Sequence, residues 1–400
     1  MRNVLFAILA GTLVLTSAAP AMARHAPASA KSAKAPVTAA QPAKQAPDLR
    51  VGLAVKQRSV TVSLVGGKGM ARTEGSKGAS LAAGQSYDVR WQDGAFLIGR
   101  EKLRGEVLMI RPAAQAGELS LNGRRYRGAL ELRHKSGGLT AVNIVPVDDY
   151  LLSVVPEEMP TDWPAEALKA QSVAARSFSL ASRGRHASEG YDLCTTTHCQ
   201  LYTGTAAEKT ASTAAVRATR GEVLTYGGKP IEALFHTDSG GMTESSENVW
   251  GSHVPYLRAV RDAQIKTLPW TKTITRADLE RKLAAKGHNI GKVRSIALSP
   301  LAIGRAAKDR TASGRVKTMT VTGTKGTATL SGTTWRSLLG LKSTLFDAKL
   351  TKDVVTFTGY GSGHGLGISQ WGAKRLAETG KSYADILHHY YTGTTLQQLY

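Results

Sequence analysis

Long apolar runs are what this 400-residue sequence most plainly lacks. The longest, Val4 to Leu15, is shorter than the ~20 residues that cross a bilayer, and no later stretch does better, so nothing after the N-terminus qualifies as a transmembrane helix. Acidic residues are scarce as well. Against 52 Lys and Arg stand 30 Asp and Glu, a formal net charge of +22 that favours an anionic neighbour such as nucleic acid, an anionic membrane or a bacterial wall. Lysines that merely keep the chain soluble account for part of that excess. Cysteine is nearly absent: Cys194 and Cys199 are the only two, enough for one small disulfide loop or one metal site. No internal repeat is present.

What is there begins with a short basic start, the apolar run and a small-x-small end at Ala21 and Ala23. This reads as a signal peptide over residues 1–23, with a retained N-terminal anchor as the alternative. Residues 24–48 are almost wholly Ala, Pro, Lys, Ser and Gln and read as a flexible linker. Export makes nucleic acid the least fitting partner. From 49 to 138, segments such as "VTVSLVGG", "YDVRWQ" and "GALELRH" alternate apolar and polar residues between Gly, Asn and Asp, which predicts a small antiparallel β domain without a titratable cluster. Residues 139–400 mix helical and strand patterns, so the fold class is α+β, with a mixed α/β catalytic region and a helix-rich groove. Asp148 and Asp149 are placed to cap a short helix that Pro156 disturbs. A second helix is expected from about Trp163 into the early 180s.

Four stretches carry side chains capable of chemistry. In "PEEMPTDWPAEALKAQSVAARSFSL", residues 156–180, the glutamates are consecutive, so on a helix they point about 100° apart and cannot both address one bond. Glu158, followed by Met-Pro and a Trp, sits at an apolar junction suited to desolvating it and raising its pKa, the route to a general acid at neutral pH. A surface glutamate is the plainer alternative. In the following helix Ala167, Ala170, Ala174, Phe178 and Ala181 form a narrow stripe for burial. Lys169, Arg176 and Arg183 recur on another face, most simply a solvated one.

The second stretch, "CTTTHC", brings His198 beside Cys199, with Cys194 and His186 upstream; zinc ligation and a disulfide both fit. The third, "FHTDSGGMTESSENVWG", together with "TTHC" mimics the nucleophile and base motifs of chymotrypsin-like proteases. Only 41 residues separate His198 from Ser239, whereas that fold needs about 140, and Met242 replaces the expected Pro, so the protease reading fails. The fourth, "GYGSGHGLGISQWGA", alternates glycine around His364. No Lys-Ser/Thr follows, which removes a P-loop. Glycine at every second position either admits a bulky ligand close to the backbone or makes a tight turn in a β core.

Together, "VDDYLLSVVPEEMPTDWPAEALKAQSVAARSFSL", "YDLCTTTHCQLYTG", "TRGEVLTYGGKPIEALFHTDSGGMTESSENVWG", "PYLRAV" and "GYGSGHGLGISQWGAKRLAETGKSYADILHHYYTGT" resemble, in order, the stage II sporulation protein D family, which includes the amidase enhancers. "WRSLLGLKSTLF" is also similar. The resemblance is strong over residues 140–400 and implies a lytic transglycosylase acting on peptidoglycan glycan strands, with preference for glycan stripped of stem peptides. It implies that the glutamate before Met-Pro, Glu158, is the catalytic acid, and that Lys169 and Arg176 line a groove and contact sugars or a lactyl carboxylate. His236, Ser239, Glu247 and His364 are then expected in the same cleft. Some members bind zinc through two cysteines and two histidines; the matching set is Cys194, His198, Cys199 and His186, a structural site with no cofactor required for the chemistry. The expected setting is the periplasm or cell wall, with glycan strands as partner and a cell-wall amidase as a further one if the protein only holds its ligand.

Overall fold

Alternation along the N-terminal strands sorts side chains between two faces. In Ser59–Val65, Val60, Val62 and Leu64 are buried while Ser59 and Thr61 face out. The computed structural model describes residues 45–114, 117–135, 137–262 and 268–400; the signal-peptide reading and nearly all of the linker reading lie outside them. Strands of this kind build two sheets. A six-stranded sheet runs in the order Arg124–Arg127, Glu118–Leu121, Ser59–Val65, Ser86–Gln92, Ala95–Ile98, Glu101–Arg104. A seven-stranded sheet has Asp48–Gln57, Gly138–Pro146 and Ala129–Lys135 at its centre. Its edge strand, Leu193–Cys194, pairs in parallel with Asp48–Gln57, so the cysteine segment is sewn to the N-terminal sheet.

The helices are α1 (Val147–Glu158), α2 (Ala165–Ala181), α3 (Thr210–Ala218), α4 (Ser246–Trp250), α5 (Arg276–Ala284), α6 (Gly332–Leu339), α7 (Gln370–Glu378) and α8 (Tyr383–Tyr390). The chain is therefore α+β, with mostly antiparallel sheets and, after the N-terminal strands, helices interspersed among short strands. Two local expectations are corrected. Pro146, not an aspartate, is the N-cap of α1, and Asp148 and Asp149 lie in its first turn. Pro156 does not stop α1 short either; only its last turn lies beyond, so the missing N–H deprives the helix of one bond near an end that was due anyway.

α2 is enclosed. It packs against α1, α3, α7 and α8, and Ala167, Ala170, Ala174 and Phe178 are all buried, small side chains letting those neighbours approach. Three hydrophobic clusters result. One joins the two N-terminal sheets to α1 and α2. A second lies within residues 270–357, where α5 and α6 cover the sheets Trp270–Thr275/Val354–Gly359/Phe346–Leu350 and Val293–Ala297/Thr318–Gly323/Thr327–Ser331. The third gathers α2, α7 and α8.

Candidate active site

Glu158 is the last residue of α1, where the helix hands over to buried Met159. Its carboxyl opens into a cleft of about 430 Å³ also lined by Phe178, His198, His236, Trp250, Arg336, His364 and Gln370. Among the described residues it is the only carboxyl lining this cleft. Burial raises its pKa, the Leu201 N–H donating to Oε1 at 2.8 Å pulls the other way, and Glu157 adds to the rise; burial prevails. Glu157 itself is exposed and accepts from Thr203 Oγ1 at 3.0 Å, away from this cleft. Gln370 Nε2 donates to the Glu158 carbonyl at 2.9 Å and ties α7 to the end of α1.

His236 and His364 meet across the cleft, their ring centroids 5.6 Å apart. The pairing of Phe235–His236 with Ile368–Ser369 sets their register. His236 Nδ1 lies 3.0 Å from the Leu366 carbonyl, which can only accept, so Nδ1 carries the proton and Nε2 is left a buried acceptor without a partner among the described residues. Burial, then the neighbouring His364 and Arg315, hold the His236 pKa well below its ordinary value. For His364, burial and then Arg336 and Arg315 bring it to about 4. Both rings are neutral at neutral pH.

The glycines around His364 serve the protein's own packing. A Cβ on Gly363, at φ 108°, would sit 2.6 Å from the His236 Cβ, and one on Gly365, at φ 90°, 2.7 Å from Arg315 Cζ. The close approach is thus to a buried histidine and a buried arginine. Gly363 and His364 also line the cleft, so this segment packs against the protein's own interior on one side and faces the cleft on the other.

Cys194, Cys199, His186 and His198 converge: their ligand atoms all lie within 4.8 Å of one another. Both cysteines are free thiols. His186 Nε2 is 3.5 Å from Cys199 Sγ, and His198 Nδ1 is 3.7 Å from each sulfur. His186 Nδ1 donates to Glu189 Oε1 at 2.7 Å, and Tyr191 OH donates to Glu189 Oε2 at 2.7 Å, which turns the other imidazole nitrogen towards the sulfurs. The cluster abuts the cleft, since His198 and Cys199 line both. Two sulfur and two nitrogen donors at this separation fit a closed tetrahedral site.

Four of the expected cleft residues lie elsewhere. Arg176 is fully buried and pairs with Asp148 at 2.9 Å while donating to the Glu222 and Val216 carbonyls at 3.1 Å. Enclosure of α2 on all sides leaves the seven-residue basic row no groove to face. Lys169, one end of that row, pairs with Glu166 at 2.7 Å, outside the cleft. Ser239 is buried and donates to Asp262, and Glu247 faces Arg258, which draws its pKa down to about 2. Neither lines the cleft.

The sequence reading missed Arg336, Trp250 and Gln370. Each lay inside a quoted motif, yet nothing in its local pattern set it apart. It also missed an aromatic pair near the cleft, Trp163 and Trp371, whose centroids are 4.8 Å apart, with Lys374 Nζ 5.5 and 5.0 Å from their rings.

Ser239 is committed to Asp262 and lies outside the cleft, and the one carboxyl that lines the cleft among the described residues is half-buried, an arrangement that suits acid–base chemistry. A family model described as stage II sporulation protein matches residues 135–226, and one described as a domain of unknown function matches residues 264–367. The chain is 35% identical over 276 residues to stage II sporulation protein D of Bacillus subtilis, covering 64% of this chain and 76% of that one. It is 33% identical over 365 residues to the amidase enhancer of the same organism, covering 79% of this chain but only 50% of that relative's length. An uncharacterised protein of Brachyspira hyodysenteriae is 35% identical over 282 residues, 69% of this chain and 73% of that one. The chain belongs to the stage II sporulation protein D family.

Proposed function

We propose that this protein is a peptidoglycan lytic transglycosylase that cuts the MurNAc–GlcNAc bond of peptide-stripped glycan strands, with Glu158 as its single general acid and base. One observation carries the reading: among the described residues the cleft holds one carboxyl, and burial raises its pKa. Ordinary glycosidases use two carboxylates, about 5 to 9.5 Å apart, the second serving as nucleophile or as base for water. A transglycosylase needs no second one. Glu158 in its acid form protonates the glycosidic oxygen as the bond to C1 breaks. The resulting carboxylate takes the proton of the muramyl 6-hydroxyl, whose oxygen attacks C1 and closes a 1,6-anhydro ring. The proton returns to Glu158 and no water is consumed. The Leu201 N–H stabilises the carboxylate formed midway, and His236 Nε2 supplies an acceptor for a sugar hydroxyl.

The family and the names of its members support a cell-wall role. Such a role requires export, to the periplasm or the wall, where a positively charged chain meets anionic polymers. The residues that fit zinc are Cys194, Cys199, His186 and His198. The ion would supply a rigid cross-link beside the cleft, with no open position for chemistry. A second reading rests on the amidase enhancer among the relatives: the cleft holds glycan for a cell-wall amidase and Glu158 is a ligand contact. Mass spectrometry of peptide-free glycan after incubation decides between them. Anhydromuramyl ends from the wild type and none from Glu158→Gln support the lytic reading; no such ends from the wild type leave the holding role.

A further inference from the structure

One cation in the cleft has no counter-charge. Arg336, on α6, is half-buried and lines the same cleft as Glu158. Among the described residues no carboxylate pairs with it, and none of the remaining residues is acidic. The other arginine lining the cleft, Arg185, lies 3.8 Å from Glu232. The two imidazoles beside Arg336 are neutral at neutral pH.

Arg336 also reaches a side recess of about 110 Å³ that branches off at His364 and is lined by Arg315, Glu244 and Thr311. Arg315 is 2% exposed, and its Nε and Nη1 have no partner among the described residues. Glu244 sits opposite as its compensating charge. The Glu244 carboxylate is filled by neutral donors: Ser245 N–H and Asn248 on Oε1, Thr311 and Ser313 on Oε2. Arg315 and Glu244 therefore balance, and the charge of Arg336 is left over. A half-buried guanidinium without a partner is only partly hydrated, and its natural complement is a planar carboxylate held by two parallel hydrogen bonds.

We infer that Arg336 pairs with the lactyl carboxylate of a muramyl residue and is the side chain by which this cleft tells peptide-free glycan from peptide-bearing glycan. The inference rests on the glycan reading above. Where the stem peptide is attached, the lactyl group is a neutral amide continuing into a chain; where it has been removed, the group ends in a carboxylate. The amide leaves Arg336 desolvated and unpaired and brings a peptide against a recess with room only for a small group. Lys169 and Arg176, the cations expected from the sequence to take this part, are already neutralised by Glu166 and Asp148.

The test uses three tetrasaccharides: alternating GlcNAc–MurNAc with free lactyl carboxylates, the same sugar with lactyl carboxamides, and chitotetraose. Binding is measured by calorimetry in the uncleaving Glu158→Gln protein, with Arg336→Gln and Arg336→Lys added to it. The expected result is a preference of about tenfold or more for carboxylate over carboxamide, abolished by Arg336→Gln, partly kept by Arg336→Lys, and unaltered chitotetraose binding in all three. An undiminished preference in Arg336→Gln overturns the inference, as does equal weakening towards all three sugars. Product analysis of the otherwise wild-type chain separates the two ideas. Anhydromuramyl ends together with an Arg336-independent preference remove only this inference. An Arg336-dependent preference without such ends removes only the lytic reading, and failure of every muramyl sugar to bind removes both.

Discussion

The backbone N–H of Leu201 donates to Oε1 of Glu158 at 2.8 Å. Leu201 lies two residues beyond Cys199, and Gln200 between them is itself held, accepting from Tyr150 OH and Ser179 Oγ and donating to the Ala175 carbonyl. The donor that steadies the proposed acid is thus fixed on one side by the cysteine–histidine cluster and on the other by α2. Anything that loosens residues 194–199 reaches Glu158 through one hydrogen bond.

Replacing Glu158 by Gln is expected to lower formation of anhydromuramyl ends by about 10²–10⁴-fold while leaving glycan binding intact. In the wild type, kcat/KM falls as pH rises through the raised pKa of Glu158, because the acid form is consumed; His364→Gln leaves that limb in place, since His364 titrates near 4. Stability carries the same signature. A carboxyl with a raised folded pKa favours the fold below its unfolded pKa and loses that contribution as pH rises through the folded one. The melting temperature of Glu158→Gln relative to wild type should therefore climb across that window. A difference that stays flat with pH rules out desolvation of Glu158.

Zinc analysis of protein purified without added metal is expected to give one ion per chain. Removing it with a chelator, or replacing Cys194 by Ser, should lower the melting temperature and shift the pH dependence of activity through Leu201. Metal-free protein whose two thiols do not react until reduced would point instead to a disulfide.

Arg176→Met is expected to destabilise the chain by about 1–3 kcal/mol, because it takes a donor from the Glu222 and Val216 carbonyls, while Asp148 keeps Arg220 and the Tyr400 hydroxyl. Denaturant midpoints read this directly. The folded fraction should bind glycan as wild type does; a specific loss of affinity at unchanged stability would return Arg176 to the binding surface.

Trp250 lines the cleft with 49% of its surface exposed. Trp250→Ala should change stability by less than about 0.5 kcal/mol, as exposed substitutions do, yet weaken glycan binding severalfold. Intrinsic fluorescence on titration with chitotetraose is the second readout. An unaltered affinity places the sugar away from α4.

The fold class and the helix that follows Glu158, α2, were legible because period-2 alternation and an alanine stripe are local patterns that burial then enforces. The basic row on α2 misled for a physical reason. Seven-residue spacing shows that Lys169 and Arg176 share a face, but whether that face meets solvent or Asp148 depends on elements 20 or more residues away. Ser239 and Glu247 failed likewise, each claimed by a partner, Asp262 and Arg258, beyond its own motif. Arg336 shows the converse. Nothing near it in sequence marks it, because its distinction is the absence of a neighbour that only the folded chain could have supplied.

The acid and the unpaired guanidinium come from different stretches of chain: Glu158 falls within residues 135–226 and Arg336 within 264–367, matched by two separate family models. On the proposed reading, cutting and choosing where to cut fall to different parts of the polypeptide. If so, a change in α6 would redirect the protein towards a differently decorated polymer while the residues around Glu158 stay as they were.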